Sequence, residues 1–190
     1  MFQVRIHGRG GQGVVTAADL LSVAVFRAGQ HAQAFPSFGS ERTGAPVVSY
    51  CRMDDRPIRL REPILRPDAL IVQDVSLLNQ VEVLSGLPPN AYVLVNTEHS
   101  IDELGLADFA AAHDASRTIT VPATQIALKH VGLPLPNLAL LGGFAALTGR
   151  VTVDDVASAV YERFPARIAA ANVAAVREAA SLVGAEGVPA

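Results

Sequence analysis

The chain has 190 residues, of which 50% are hydrophobic and 17% charged, and its formal net charge is −3. This length fits one domain that can bury a core without metals or disulfides, and the composition is too apolar for a disordered chain. The slightly negative charge gives no general attraction to nucleic acid or to an anionic membrane. We therefore expect one folded domain over residues 1–190, without a nucleic-acid partner.

The only cysteine, Cys51, excludes an intrachain disulfide and an iron–sulfur cluster held by this chain alone. It lies in the apolar run Val47–Cys51, which favours a buried structural thiol. No apolar run approaches the length of a membrane span, and the first residues do not resemble a signal peptide. We expect a cytoplasmic protein without a membrane span.

The predicted elements alternate between strands and helices along the chain. A strand at Phe2–His7 precedes a helix at Val14–Ala28, which Gly29 ends. Further strands are predicted at His31–Phe35, Val47–Arg52, Ile58–Leu60, Ala69–Gln73, Ala91–Val95 and Thr118–Val121. Further helices are predicted at Ala123–His130, Asn137–Thr148, Val153–Phe164 and Ala166–Val183. This order predicts an α/β fold in a single domain, with a mostly parallel doubly wound sheet. The sheet and its helices should occupy about residues 1–130. C-terminal helices should follow over about residues 137–183, and the last two of them should form a helical pair.

A glycine-rich loop follows the first strand and opens the first helix. Gly8, Gly10 and Gly13 have the spacing G-x-G-x-x-G, which lets backbone approach a phosphate at a helix N-terminus. A nicotinamide dinucleotide also needs a carboxylate about 20 residues further on, and His31–Phe35 contains none. An anion or the phosphate of a cofactor is therefore favoured, and a tight turn that binds nothing is the alternative. The candidate binding residues here are Gly8, Arg9, Gly10, Gly11, Gln12 and Gly13.

A second polar loop, Phe35–Pro46, carries Glu41 and Arg42 and follows the second strand. At the carboxyl end of that strand it lies beside the glycine loop, where ligands bind in open α/β sheets. Glu41 and Arg42 are therefore candidate cofactor-binding residues. The alternative is an exposed turn with a solvated ion pair, which contributes little to stability.

The remaining polar residues do not form a catalytic pattern. The histidines lack metal-ligand spacing, and Asp154–Asp155 is explained by capping at a helix start. His7 lies next to the glycine loop, where it lines a site or, as we favour, packs with a hydrogen bond. We assign no catalytic residue and no metal ligand.

These segments together resemble the gamma subunit, or gamma domain, of the 2-oxoacid:ferredoxin oxidoreductases, which include the pyruvate, 2-oxoglutarate, indolepyruvate and phenylglyoxylate enzymes. The resemblance covers essentially the whole chain, with its segments in the family's order. The segments that carry it are His7–Ala18, Phe38–Val47, Val121–Ala127, Asn137 with Leu141–Gly143, and Asn172.

The resemblance implies an enzyme that oxidatively decarboxylates a 2-oxoacid to acyl-CoA and CO₂. It implies alpha and beta subunits that hold thiamine diphosphate and Mg, and a delta-type subunit that holds iron–sulfur clusters. The gamma chain binds none of these alone, is inactive alone, and packs where coenzyme A binds, at or near the glycine loop. The family further implies that Phe38–Pro46 lies at the interface with the thiamine-binding chains. The alternatives are a free-standing nucleotide- or phosphate-binding module and a purely structural subunit.

Overall fold

The computed structural model describes residues 1–37 and 43–186, and one six-stranded sheet lies at its centre. The strands are β1 (Phe2–Arg9), β2 (His31–Pro36), β3 (Pro46–Asp54), β4 (Ala69–Val72), β5 (Tyr92–Asn96) and β6 (Thr118–Val121). The helices are α1 (Val14–Arg27), α2 (Ala107–Ala112), α3 (Ala123–Val131), α4 (Asn137–Thr148), α5 (Val153–Arg163) and α6 (Ala166–Glu186). The bounds of β6 and α4 are those predicted from the sequence, whereas the sequence predicted no element at α2.

The strand order is β2-β3-β1-β4-β5-β6. Strands β1, β4, β5 and β6 are parallel neighbours, and β3 pairs antiparallel with both β1 and β2. In this register Ile6 of β1 lies between Ser49 and Ile71. The predicted α/β fold with a mostly parallel sheet is confirmed. Every strand except β3 therefore ends at the same side of the sheet, which we call the carboxyl edge.

Five of the helices cover one face of the sheet, where α1, α3, α4, α5 and α6 share a continuous apolar core. Helix α4 is buried from Asn137 to Ala145, where α6 crosses it closely. A Cβ atom at Gly142 would lie 2.0 Å from the Val176 carbonyl oxygen, so only glycine permits this crossing. The small residues of α4 thus allow two helices to pack at short range on the central strands.

The opposite face is covered by irregular chain, by a 3₁₀ helix at Val75–Asn79 and by α2. The strand predicted at Ile58–Leu60 is wrong, because these residues do not join the sheet. Pro57 and Pro63 flank the segment and lack the N–H groups that a strand ladder needs. The side chain of Leu60 is 46% exposed, so no apolar burial draws the segment onto the sheet.

Two buried arginines from the sheet hold this irregular chain in place. Arg5 of β1 donates from Nη2 to the carbonyl oxygens of Val83 and Ser85, at 2.8 and 2.7 Å. Arg52 of β3 donates to the carbonyl oxygens of Leu60 and Glu62, at 3.2 and 2.6 Å. Burial lowers the pKa of both guanidinium groups. The charged donors thus satisfy carbonyl oxygens in a part of the chain that has no regular secondary structure to do so.

The C-terminal pair of helices, α5 and α6, packs on the first face as predicted. Helix α5 begins with a capping box in which Thr152 and Asp155 bond reciprocally, which confirms the capping role at this helix start. The sequence predicted no membrane-length apolar run, but residues 166–185 reach that length with a mean hydropathy of 1.3. Within that stretch 44% is buried, where α6 packs against α4 and the neighbouring helices.

Replacing Arg5 by methionine should lower the free energy of unfolding by about 2–4 kcal/mol, measured by urea denaturation. The substitution keeps the apolar stem but leaves the Val83 and Ser85 carbonyl oxygens without donors in a buried place. Arg27→Met is the matched control, because Arg27 pairs with Glu162 at the surface and an exposed pair is worth less than about 1 kcal/mol. Equal losses for the two variants would contradict the clamping role of Arg5.

Candidate functional site

The glycine loop joins β1 to α1 at the carboxyl edge of the sheet, and its glycines serve different purposes. A Cβ atom at Gly8 would lie 2.6 Å from Val14 Cγ2, and one at Gly13 would lie 2.4 Å from Asn137 Nδ2. These two glycines are needed for close packing. Gly11 has φ +96°, and a Cβ atom there would meet only Thr43 Cγ2, at 4.0 Å. Gly11 is therefore needed for its backbone conformation, and its surface faces open space.

The N-terminus of α1 is uncapped by any side chain. Gly13 precedes the helix in a left-handed conformation, and the first backbone hydrogen bond runs from Ala17 N–H to Gly13 O. The N–H groups of the first turn therefore have no acceptor inside the helix, and the helix dipole adds a positive potential there. A cavity of about 280 Å³ lies at this end of the helix, lined by Arg9, Gly10, Gly11, Gly13, Val14, Val15, Thr16 and Val47. This arrangement suits an anion.

The Arg9 guanidinium is engaged inside the protein. Its Nε donates to Asp74 Oδ2 at 3.0 Å and its Nη1 to the Gly44 carbonyl oxygen at 3.0 Å. Its Nη2 donates to Ser76 Oγ and Gln80 Oε1, at 2.6 and 2.8 Å. The sequence predicted Arg9 as a binding residue, but the structure places it as a clamp that joins the glycine loop to the segment after β4.

The carboxylate of Asp74 is the acceptor on which this clamp depends. Besides Arg9, it accepts hydrogen bonds from Gln12 Nε2 at 3.0 Å and from the backbone and hydroxyl of Ser76. Burial by itself raises the pKa of Asp74, but the hydrogen bonds from Ser76 and Gln12 and the Arg9 charge outweigh it, so the pKa lies below its usual value. Asp74 is therefore ionised at neutral pH and holds both loop side chains.

Gln12 is fixed at both ends of its amide group. Its Oε1 accepts from the Arg9 backbone N–H at 2.8 Å, while its Nε2 donates to Asp74. The side chain thus closes the glycine loop on itself. Asn137, the first residue of α4, supports the loop from below, since its Nδ2 donates to the Gly13 carbonyl oxygen at 3.2 Å. Two side chains, Gln12 and Asn137, therefore hold the backbone of the glycine loop.

The second loop meets the glycine loop, as the sequence predicted. Gly10 N–H donates to the Ala45 carbonyl oxygen at 2.9 Å, and Gly44 N–H donates to the Gly10 carbonyl oxygen at 3.0 Å. Thr43 forms an isolated bridge with Gly10. Glu41 and Arg42 lie outside the described residues, so their roles stay predictions.

A second cavity, of about 350 Å³, lies on the other side of Gln12 at the carboxyl edge. Its polar lining includes residues that directly follow β4 and β5, together with the start of α3, namely Gln12, Gln73, Asp74, Asn96, Thr97 and Thr124. This site was not predicted from the sequence. Polar residues that come immediately after buried parallel strands were the available signal, since ligands bind at that end of such strands.

The single thiol is not available as a nucleophile, and no cluster of metal ligands is found among residues 1–37 and 43–186. Cys51 is completely buried, and burial together with the charge of Asp19 raises the pKa of its thiol to about 12. The predicted structural role of Cys51 is thereby supported, because a thiol in this state does not form the thiolate that attacks or binds metal. No group of three His, Cys, Asp or Glu side chains in the described ranges has the geometry to hold a metal ion.

Comparison with known proteins shows what the chain is related to. The family model described as pyruvate ferredoxin/flavodoxin oxidoreductase matches residues 3–182. The chain belongs to this family. It is 46% identical over 160 residues to the pyruvate synthase subunit PorC of Methanosarcina barkeri, covering 84% of this chain and 85% of that protein. It is 45% identical over 179 residues to the common gamma subunit of the pyruvate/ketoisovalerate oxidoreductases of Thermococcus kodakarensis, covering 94% and 95%.

Solved structures agree with this assignment. The crystal structure of the pyruvate oxidoreductase subunit PORC of Thermotoga maritima is 31% identical, with a TM-score of 0.79 over 95% of both chains. A 2-oxoglutarate:ferredoxin oxidoreductase of Magnetococcus marinus contains the same fold, at 17% identity and a TM-score of 0.76, in 31% of its chain. The chain is therefore a gamma subunit of a pyruvate or 2-oxoacid ferredoxin oxidoreductase, a multi-subunit enzyme, as the sequence motifs predicted.

His7 of this gamma subunit packs beneath the glycine loop. It is 8% exposed, in agreement with the predicted packed role, and its Nε2 has no hydrogen-bond partner within the described part of the chain. Burial, together with the positive charge of Arg5, lowers the pKa of His7 to about 4. The folded protein therefore holds His7 in its neutral form.

Lowering the pH should lower the free energy of unfolding through His7, because the pKa of this side chain is about 6.5 in the unfolded chain and about 4 in the folded protein. The loss begins as the pH falls below 6.5 and reaches about 2 kcal/mol at pH 5. His7→Leu should reduce the difference in unfolding free energy between pH 7 and pH 5 by about that much. The exposed His31→Leu is the control. An unchanged pH dependence in His7→Leu would refute the assignment.

Proposed function

We propose that this gamma subunit supplies a phosphate-binding part of the coenzyme A site to the assembled oxidoreductase and has no complete active site alone. The observation that carries the proposal is the uncapped N-terminus of α1, which opens with the glycine loop into a cavity at the carboxyl edge. Backbone N–H groups and a helix dipole provide donors and potential for a phosphate without any charged side chain. The structure of the related Magnetococcus enzyme has coenzyme A bound, which supports this choice of ligand.

The proposed division of labour places the chemistry in other chains. Alpha and beta subunits hold thiamine diphosphate and Mg, and a delta-type subunit holds the iron–sulfur clusters that receive the electrons. The buried Cys51 of the gamma subunit fits this division, because an iron–sulfur cluster needs several accessible thiolates. The assembled enzyme converts a 2-oxoacid to acyl-CoA and CO₂ in the cytoplasm.

Substitution of Gly11 separates a binding role from a purely structural one. Packing explains Gly8 and Gly13 without any ligand, and the positive φ explains Gly11, so the presence of these glycines supports either role. A Cβ atom at position 11 meets no packing neighbour closer than 4.0 Å, and Gly11 lines the cavity at the helix N-terminus. A larger side chain there would therefore obstruct a ligand without disturbing the packing of the loop.

In this proposal Arg9 fixes the shape of the glycine loop and does not contact the phosphate. Its donors are directed to Asp74, Gly44, Ser76 and Gln80, so moving it to a ligand would break the contacts that shape the loop. The phosphate is therefore held by the N–H groups of Gly11, Gly13 and the first turn of α1, because those of Gly10 and Gln12 are bonded to Ala45 and Arg9. Arg42, carried by the second loop, stays a predicted additional contact with the phosphate or with a partner chain.

Gly11→Leu should raise the KM for coenzyme A of the assembled enzyme about tenfold while leaving the KM for the 2-oxoacid unchanged. The leucine occupies the approach to the helix N-terminus, and a tenfold change corresponds to about 1.4 kcal/mol of binding free energy. The measurement is steady-state kinetics of the reconstituted complex with each substrate varied in turn.

The control for Gly11→Leu is Gly29→Leu at the other end of α1. Gly29 has φ +83° and open space at its Cβ position, so leucine there introduces comparable backbone strain away from the loop. Both variants should lose similar thermal stability, but only Gly11→Leu should change the KM for coenzyme A. An unchanged KM in an intact complex would instead favour the purely structural subunit.

The purified gamma subunit should show no oxidation of a 2-oxoacid with an artificial electron acceptor, and should restore activity when added to the other subunits. The expected outcome follows from the proposed division of labour and from the buried Cys51 thiol, which does not form a reactive thiolate. Robust turnover by the isolated chain, after removal of traces of partner subunits, would overturn the proposal. Full activity of the complex without the chain would also overturn it.

A further inference from the structure

A short irregular segment between β3 and β4, residues 56–66, concentrates positive charge on the second face of the sheet. We call it the arginine strap, because it carries four arginines against the single carboxylate of Glu62, in a chain whose formal net charge is −3. Strand β3 runs antiparallel to β1, and β4 runs parallel to it, so both ends of the strap lie at the edge opposite the carboxyl edge. The strap is therefore separate from the glycine loop and from both cavities beside it.

The backbone of the strap is fixed from inside the protein. Arg52 donates to the carbonyl oxygens of Leu60 and Glu62, at 3.2 and 2.6 Å. A Cβ atom at Gly86 would lie 2.0 Å from the Leu65 carbonyl oxygen, so a neighbouring segment packs directly on the strap. The strap cannot turn over to bury its exposed side chains without losing these contacts.

The guanidinium groups of the strap are exposed, and none has an ion-pair partner among residues 1–37 and 43–186. The four arginines are Arg56, Arg59, Arg61 and Arg66. Arginines elsewhere in the described ranges do pair with a carboxylate, namely Arg9, Arg27, Arg117 and Arg177. The acids that flank the strap, Asp54, Asp55 and Asp68, accept hydrogen bonds from other groups. The fold thus leaves the charge of the strap for a partner outside this chain.

Two leucines accompany these charges in solvent. Leu60 is 46% exposed and Leu65 is 75% exposed, on a backbone that the contacts above hold in place. Large apolar side chains held in solvent beside arginines are typical of a protein-binding surface. A nucleic acid or an anionic membrane would also attract arginines, but the negative net charge of the chain opposes both. An acidic protein surface with apolar side chains is the partner that matches both features.

We propose that the arginine strap is a docking surface for an acidic face of another subunit of the same oxidoreductase. The chain is a gamma subunit of a multi-subunit enzyme, so a permanent partner is available. Arginine binds a carboxylate through two parallel N–H···O bonds, and the attraction strengthens where the interface excludes water. Leu60 and Leu65 supply apolar contact between the ion pairs. The inference does not depend on the phosphate proposal, because the strap lies at the other edge of the sheet.

Arg61→Glu tests the charge, because residue 61 lies between the two carbonyl groups that Arg52 holds. The dissociation constant of the purified gamma subunit for the other subunits should rise about tenfold, because repulsion replaces attraction across the interface. The melting temperature of the isolated chain should change by less than about 1 °C, since an exposed side chain without a partner adds little to stability. Arg167→Glu, at an exposed arginine in the first turn of α6, is the matched control and should alter neither quantity.

Leu65→Ser tests the apolar part of the surface without changing its charge. The same dissociation constant should rise about 3- to 10-fold, because the leucine loses the burial that the partner provides. The isolated chain should keep its melting temperature, since the side chain is already in solvent. Leu133→Ser, at a leucine that is 52% exposed after α3, is the control and should leave the dissociation constant unchanged.

Cross-linking identifies the partner directly. Cys51 is completely buried, and burial together with the charge of Asp19 raises the pKa of its thiol to about 12. A thiol reagent added to the isolated Arg61→Cys chain therefore labels position 61 alone. A photo-activated linker attached there should join the gamma subunit to another subunit of the assembled enzyme, at a peptide rich in Asp and Glu.

The opposing outcomes are distinct. A linker at position 61 that reaches no other subunit in an intact complex would overturn the inference, and so would unchanged assembly of both Arg61→Glu and Leu65→Ser. Lower melting temperatures for both variants would overturn it as well, since the strap would then serve the fold. If the isolated chain binds single-stranded DNA or phosphatidylglycerol vesicles at physiological ionic strength, and Arg61→Glu abolishes that binding without affecting assembly, the strap binds a polyanion and the inference fails.

Discussion

The carboxylate of Asp74 is the contact on which the shape of the functional edge depends. Its two oxygens accept hydrogen bonds from Arg9, Gln12 and Ser76. One carboxylate thus joins the glycine loop to the segment after β4. The parallel pairing of β1 with β4 makes this possible, because their carboxyl ends lie side by side. Since Asp74 neutralises Arg9, the field that remains at the loop comes from backbone N–H groups and the α1 dipole.

The sequence predicts the regular elements well wherever local signals determine them. The strand Thr118–Val121 and the helix Asn137–Thr148 have the predicted bounds, since a short β-branched run and a proline-to-glycine interval define them locally. The direction of β3 carries no local signal, because antiparallel pairing with β1 depends on a loop and on partners distant in sequence. The strand predicted at Ile58–Leu60 is wrong although Pro57 and Pro63 gave a local signal against it, and the donors that fix this segment come from Arg52.

At the candidate site, too, the sequence predicts local features and not contacts between distant residues. The spacing of Gly8, Gly10 and Gly13 predicts a strand, a tight turn and a helix, because only backbone conformation and close packing are needed for that. The hydrogen-bond partner of the Arg9 side chain could not be predicted, since the acceptor Asp74 lies 65 positions away in the chain. Gln73 was not predicted as a site residue, because a glutamine after a strand carries no signal until its burial and its unpaired amide are known.

The two sides of the glycine loop differ in the groups that line them. On the β3 side, free N–H groups at the N-terminus of α1 favour negative charge. On the β4 side, Asp74 is paired with Arg9, Asn96 accepts from the Thr124 N–H at the start of α3, and Glu98 and His99 line the cavity. The β4 side therefore presents acceptors as well as donors. Gln12, bonded to Arg9 and Asp74, fixes the boundary between the two sides.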